Sequence, residues 1–124
     1  MDTLESLLVA IAPTGESRKI FNPANSTLVG LAPVHRVDDL EKAVVAAQKA
    51  QKGWAALGHA ARSEVMLKVA DAIDVHAEAL AQLLSREQGK PLNGPNARFE
   101  VGRASAWLRV AAAISLETDR RAHV

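Results

Sequence analysis

Glu87-Gln88-Gly89-Lys90-Pro91-Leu92 is the stretch from which the fold can be read. Gly89 can take the left-handed conformation that closes a helix, Lys90 suits the negative end of the helix dipole, and Pro91 forbids another helical turn. A helix must therefore end at about residue 88. Upstream, Val65, Met66, Val69, Ile73, Leu80 and Leu84 keep roughly helical spacing from about Ala60 onward. The run is too long for one straight helix, and Asp74 to His76 is the expected joint. This gives helices over about 60–75 and 77–88. Downstream, Pro95 and a candidate cap at Asn96 open a third pattern, over about 97–115. Val101, Ala104, Leu108 and Ala111 form one stripe, and Trp107, Val110 and Ile114 lie on another side. The second half of this helix is apolar nearly all round, which requires burial on two sides.

Working towards the amino terminus, Asp38 followed by Glu41 fits a capping-box variant. Leu40, Val44, Ala47 and Ala50 then recur at helical spacing, so a helix is expected over about 39–52, with Gly53 as its stop and Trp54 covering its end. Before it, Lys19-Ile20-Phe21 reads as extended and Asn22-Pro23-Ala24-Asn25-Ser26 as a turn. Residues 27–31 read as a strand, placed at an edge by Pro33. Residues 1–18 read as an irregular arm with a short strand at Leu7 to Ala12, and 117–124 as a polar tail. No internal repeat or low-complexity segment is present. The expectation is one mainly helical unit with a short amino-terminal β element.

Composition bounds the chemistry. The 124 residues suit one small domain. They are 48% hydrophobic but only 3% aromatic, and much of the apolar content is alanine, which buries little area. With 15 basic and 14 acidic residues the net charge is +1, and Arg120-Arg121 beside Asp119 is no nucleic-acid footprint. The absence of cysteine excludes disulfides, thiolate metal sites and a cysteine nucleophile within these residues. The start carries acids where a signal peptide is basic, and the apolar run from Leu7 to Pro13 is too short to span a bilayer, so a cytoplasmic setting without membrane contact is expected. His35, His59, His76 and His123 include no pair at helical metal-binding spacing. No G-x-G-x-x-G, P-loop or G-x-S-x-G string occurs, and Glu78 and Glu87 read as helical surface carboxylates. No catalytic or cofactor-binding residue is assigned.

EQGKPL has company. Ile20 to Asn25 reads IFNPAN; Gly53-Trp54-Ala55 follows the capped alanine-rich helix; Arg62 opens the next. After EQGKPL come Ala97-Arg98, Glu100-Val101 and Ala106-Trp107-Leu108-Arg109. In this order and spacing, from about Ile20 to Ala113, the chain resembles the amino-terminal region of the aldehyde dehydrogenase superfamily. The residues carrying the motif are Asn22, Pro23, Trp54, Arg62, Gly89, Lys90 and Pro91. Pro95 departs from the family's helix-forming residues there and should delay the helix start.

The resemblance implies an α/β parent fold and oxidation of an aldehyde to a carboxylic acid with NAD or NADP. In that family a cysteine thiolate attacks the aldehyde, hydride passes to the nicotinamide, and a glutamate-activated water releases the acid. The family's oxyanion asparagine, cofactor lysine, glycine-rich turn, glutamate and cysteine all follow the last helix found here. The chain alone is therefore expected to be inactive and to bind neither NAD nor NADP, as a truncated gene product or one part of a split enzyme. Expected partners are a complementary aldehyde dehydrogenase segment or a second copy; the alternative is a small non-enzymatic helical interaction module. The resemblance also implies one candidate monovalent-cation site, built from backbone oxygens of Ile20 and Phe21 and the Glu87 carboxylate.

Overall fold

The computed structural model describes residues 3–114. Their element order is α1 (Leu4–Ala10), β1 (Ser17–Phe21), β2 (Leu28–Pro33), α2 (Val37–Ala56), α3 (Gly58–Val75), α4 (Ala77–Gln88) and α5 (Ala97–Ala113). β1 and β2 form a two-stranded antiparallel sheet in which Ser17 faces Pro33 and Ile20 faces Gly30, with an irregularity between Ile20 and Phe21. The hairpin turn is built by two asparagines. Asn22 Oδ1 accepts from the Ala24 N–H at 2.9 Å, and Asn25 Oδ1 accepts from both the N–H and the hydroxyl of Thr27. Short polar side chains do this because they mimic a backbone turn.

Three expectations are corrected. The arm read as irregular, with a strand at Leu7 to Ala12, contains the helix α1. Its start is fixed by Thr3, whose hydroxyl oxygen accepts from the Ser6 N–H, and Leu4 is buried beneath it. The strand expected at 27–31 runs instead from Leu28 to Pro33 and pairs with β1 on one side alone, so Pro33 is tolerated at its end. The helix expected at 39–52 extends at both ends. Asp39, not Asp38, closes its amino terminus by accepting from the Arg36 N–H at 3.0 Å. Gly53 lies inside α2 with open space around it, and the reversal falls on Gly58, whose φ is +76°.

The α3–α4 joint is at His76, which ends one helix and begins the next. The last helix ends at Ala113, so residue 115 and the tail expected at 117–124 lie outside the described residues. Asn96 precedes α5 without capping it through its side chain, which donates to the Asn93 carbonyl instead.

The core lies where α3, α4 and α5 meet. Ala81, Ala97 and Val101 are buried there, with Ile73, Leu80, Leu84 and Leu92 partly buried against them. No large side chain is fully buried among the described residues. Small residues let the helices approach closely, at the cost of little area removed from water. α2 contributes no buried residue at all.

Candidate functional site

The two strings that stand out in the sequence, around Pro23 and around Gly89, meet in space. α4 ends at Gly89, whose φ of +70° and ψ of 14° place it in the left-handed region. The Gly89 N–H donates to the Ser85 carbonyl at 2.9 Å, and the Ser85 hydroxyl donates to the Lys90 carbonyl at 2.7 Å. A Cβ on Gly89 would stand 2.7 Å from Pro23 Cγ, far inside contact distance. Gly89 is therefore required twice, by its backbone conformation and by the proline ring seated on it. The hairpin is pinned to the end of α4 by this contact.

Beyond the cap, Lys90 Nζ pairs with Glu100 Oε2 at 2.6 Å, tying the loop to the first turn of α5. The Pro91 and Leu92 carbonyls accept from the Ala97 and Arg98 N–H groups, which otherwise lack helical partners. Arg98 then reaches back to α4. Its Nε and Nη2 donate to Glu78 Oε2 and Oε1 at 2.8 and 2.7 Å, a two-pronged grip, and it also donates to Asn93. The Arg98 and Gln82 donors hold the Glu78 carboxyl well below the usual carboxylate range, at about 2.

Farther along α5, Arg109 pairs with both Asp71 and Asp74 of α3. The Ser105 hydroxyl and the Arg109 guanidinium lower the pKa of Asp74. Ser63 donates to the Ala112 carbonyl at 2.6 Å, satisfying one of the free carbonyls at the α5 end. Lys90, Arg98, Glu100 and Arg109 stand in the strings that carry the family resemblance, Asp74 at the helix joint, and Glu78 reads as a surface carboxylate, but no reading of the sequence pairs them. Arg98 lies twenty residues from Glu78 and Arg109 thirty-five from Asp74, so no local pattern joins them.

Ile20, Phe21 and Glu87 line one open concavity, together with Arg18, Lys19 and Gln88. Trp54 and Arg62 are placed elsewhere, Trp54 exposed in the last turn of α2 and Arg62 half-buried near the start of α3. Among the described residues, no three His, Asp or Glu side chains cluster to hold a metal ion. No helix among them is long and apolar enough to cross a membrane. The arrangement is a scaffold that fixes a hairpin and three helices relative to one another.

That scaffold has known counterparts. The crystal structure of aldehyde dehydrogenase from Brucella melitensis biovar abortus 2308 superimposes with a TM-score of 0.73 and 35% identity, over 82% of this chain and 20% of that one. Residues 11–123 match the model of the aldehyde dehydrogenase family. The 3,6-anhydro-alpha-L-galactose dehydrogenase of Streptomyces coelicolor is 44% identical over 88 residues, 71% of this chain and 18% of the relative. The alpha-ketoglutaric semialdehyde dehydrogenase of Bacillus subtilis is 36% identical over 97 residues, 77% of this chain and 20% of the relative.

The fold is thus that of an amino-terminal, mainly helical segment of an aldehyde dehydrogenase-like α/β fold. The chain belongs to the aldehyde dehydrogenase family, and it spans about one fifth of the length of the relatives it matches.

Proposed function

We propose that these residues form the amino-terminal scaffold of an enzyme that oxidises an aldehyde to a carboxylic acid with NAD or NADP, and that alone they neither bind the cofactor nor turn over substrate. The family match over residues 11–123 carries the first half of the reading. The absence of any cysteine among the 124 residues supports the second, since the family's reaction runs through a thiolate. The cofactor supplies the hydride-accepting ring; this chain's residues supply the packing beneath the enzyme that holds it. A cytoplasmic setting suits this role. The purified chain should give no NAD(P)H absorbance with a panel of aliphatic and aromatic aldehydes. Turnover that survives repurification would contradict the proposal.

The outer side of α5 favours a partner. Phe99 is 53% exposed and Trp107 60%, and Arg103 stacks between their rings, 5.6 and 5.3 Å from the centroids. Val110 and Ile114 continue this exposed side. Arginine and aromatic anchors of this kind are enriched where interfaces bind tightly. The occupant we assign is a complementary aldehyde dehydrogenase segment, and the length of the relatives supports it. A non-enzymatic helical module would bind partners lacking that fold. Capture of the remaining four-fifths of the Brucella relative, lost in a Trp107→Ala variant, separates the two.

The shared concavity of Ile20, Phe21 and Glu87 also supports a candidate monovalent-cation site, as hard cations favour carbonyl and carboxylate oxygens. Sodium or potassium should then raise the melting temperature of the chain but not of Glu87→Gln. An equal response in both would remove the site.

A further inference from the structure

The chain has four asparagines: Asn22, Asn25, Asn93 and Asn96. An asparagine side chain is open to one reaction within its own chain. The amide nitrogen of the next residue adds to its Cγ and closes a five-membered imide. That requires a following N–H not committed to a hydrogen bond, and room to approach. Asn22 is followed by Pro23, which has no N–H. Asn25 is followed by Ser26, whose N–H donates to the Asn22 carbonyl at 2.8 Å. Asn96 is followed by Ala97, which is buried and whose N–H donates to the Pro91 carbonyl at 3.2 Å. Asn93 is followed by Gly94. Both are exposed, Gly94 has no side chain to hinder the approach, and among the described residues its N–H meets no acceptor.

The Asn93 side chain is also held in a way that favours attack. Arg98 Nη1 donates to Asn93 Oδ1, the oxygen on which negative charge grows as a nucleophile adds to Cγ. The guanidinium is itself fixed by Glu78, through Nε at 2.8 Å and Nη2 at 2.7 Å. The Asn93 carbonyl is tied separately, accepting from Asn96 Nδ2 at 2.8 Å.

We propose that Asn93-Gly94 is a self-modification site, where the Gly94 nitrogen attacks the Asn93 side chain and turns its amide into a carboxylate beside Arg98. The Gly94 N–H gives its proton to solvent hydroxide, and the nitrogen bonds to Asn93 Cγ. The Cγ–Nδ2 bond breaks, and Nδ2 leaves as ammonia with a proton taken from water. Water then adds to one of the two imide carbonyls, and the C–N bond at that carbon opens. Opening at Cγ gives aspartate. Opening at the main-chain carbonyl gives isoaspartate, with the chain routed through Cγ. Nothing is oxidised or reduced; the amide and water become a carboxylate and ammonium.

Both products alter the clasp between α4 and α5. In the aspartate form Arg98 bridges two acids, as Arg109 already bridges Asp71 and Asp74. The isoaspartate form adds one main-chain atom just before α5, after the Pro91 and Leu92 carbonyls that accept from the Ala97 and Arg98 N–H groups. It should therefore loosen the start of that helix.

The test is incubation of the purified chain in mildly alkaline and mildly acidic buffer, followed by peptide mapping. Trypsin releases residues 87–98 as one peptide, because Pro91 blocks cleavage after Lys90. The amide-to-acid mass change should accumulate on Asn93, faster in alkali and ahead of Asn25 and Asn96. Arg98→Met should slow it about ten-fold, less than the loss of such a donor costs in a dry site. Circular dichroism checks that this variant is folded. Gly94→Ala should remove most of the reaction, but φ is +73° there, so that change also strains the loop. Asn93→Gln, which keeps an amide but needs a six-membered ring, should give the same loss without the strain. The isoaspartate form, separated by ion exchange, should melt below the parent. An Asn93 still intact after prolonged alkaline incubation, earlier change at Asn25 or Asn96, or an unchanged or faster rate in Arg98→Met would each overturn the proposal. So would an isoaspartate form as stable as the parent.

Discussion

Gly89 shows how much one backbone position can hold. Its left-handed conformation disfavours any side chain, and the Pro23 ring leaves no room for one. Gly89→Ala should cost about 1–3 kcal/mol of stability, and a β-branched residue more. In denaturant unfolding, Gly89→Ala combined with Pro23→Ala should be less damaging than the two single losses added together, because removing the ring relieves the collision but not the strain. Strict additivity would show that the ring contact is energetically empty. Sequence reading reached the left-handed cap, since a glycine before Lys-Pro at the end of a helical pattern has one main use. It did not reach the Pro23 contact, because residues 66 positions apart share no local signal.

Glu78 gives a second prediction at this scale. Its carboxyl falls from an ordinary 4.5 to about 2 through the Arg98 and Gln82 donors. A folded pKa below the unfolded one means that the carboxylate stabilises the fold above the unfolded value, and that this is lost as pH falls through the folded one. The stability difference between the native chain and Glu78→Gln should therefore be full above about pH 4.5 and close towards pH 2. A difference that stays constant across that window would mean the grip is not formed. Because the pair is exposed to solvent, the difference should also shrink in high salt.

At the scale of elements, α2 and α1 carry the lessons. Gly53 reads as a stop because glycine commonly follows the last residue of a helix, with Trp54 covering the end. Gly58, five residues on, was equally available, and the structure uses that one. Gly53→Ala should then stabilise the chain by about 0.5–1 kcal/mol, since glycine inside a helix is unfavourable and its Cβ would meet nothing. Gly58→Ala should destabilise it, because φ is +76° there. The opposite pair of signs in thermal unfolding would restore the earlier boundary. In α1, Leu4, Leu7 and Leu8 have helical spacing and Thr3 and Ser6 form the cap, but the apolar run to Ile11 reads equally well as a strand. Short apolar runs are ambiguous in this way, and packing decides them. The α4 boundaries were easier to read, because a joint precedes it and a glycine-lysine-proline stop follows.

For the whole molecule, the sequence foretold a poor core and the structure shows one. Alanines dominate the buried residues, while Leu40, Trp54, Phe99, Trp107 and Val110 stay exposed. The amphipathic stripes were legible as stripes, but not which of them would find a neighbour within the chain. Of the α5 stripe read at Val101, Ala104, Leu108 and Ala111, Val101 is buried and Leu108 and Ala111 half-buried, but Ala104 is exposed and Ser105 and Ala112 are buried in its stead; the outer stripe and that of α2 stay exposed. Folding brings Ile20, Phe21 and Glu87 to one concavity because the hairpin packs on the end of α4. The central claim is that these residues are a working scaffold of the aldehyde dehydrogenase fold. It is tested most directly by grafting residues 11–114 into the Brucella enzyme in place of its matching fifth and following NAD(P)H formation from an aldehyde. The account predicts a folded chimera that oxidises the aldehyde, and loses that activity when Gly89→Val is added. A chimera that folds with the parent's melting temperature yet forms no NAD(P)H, or one indifferent to Gly89→Val, would contradict it.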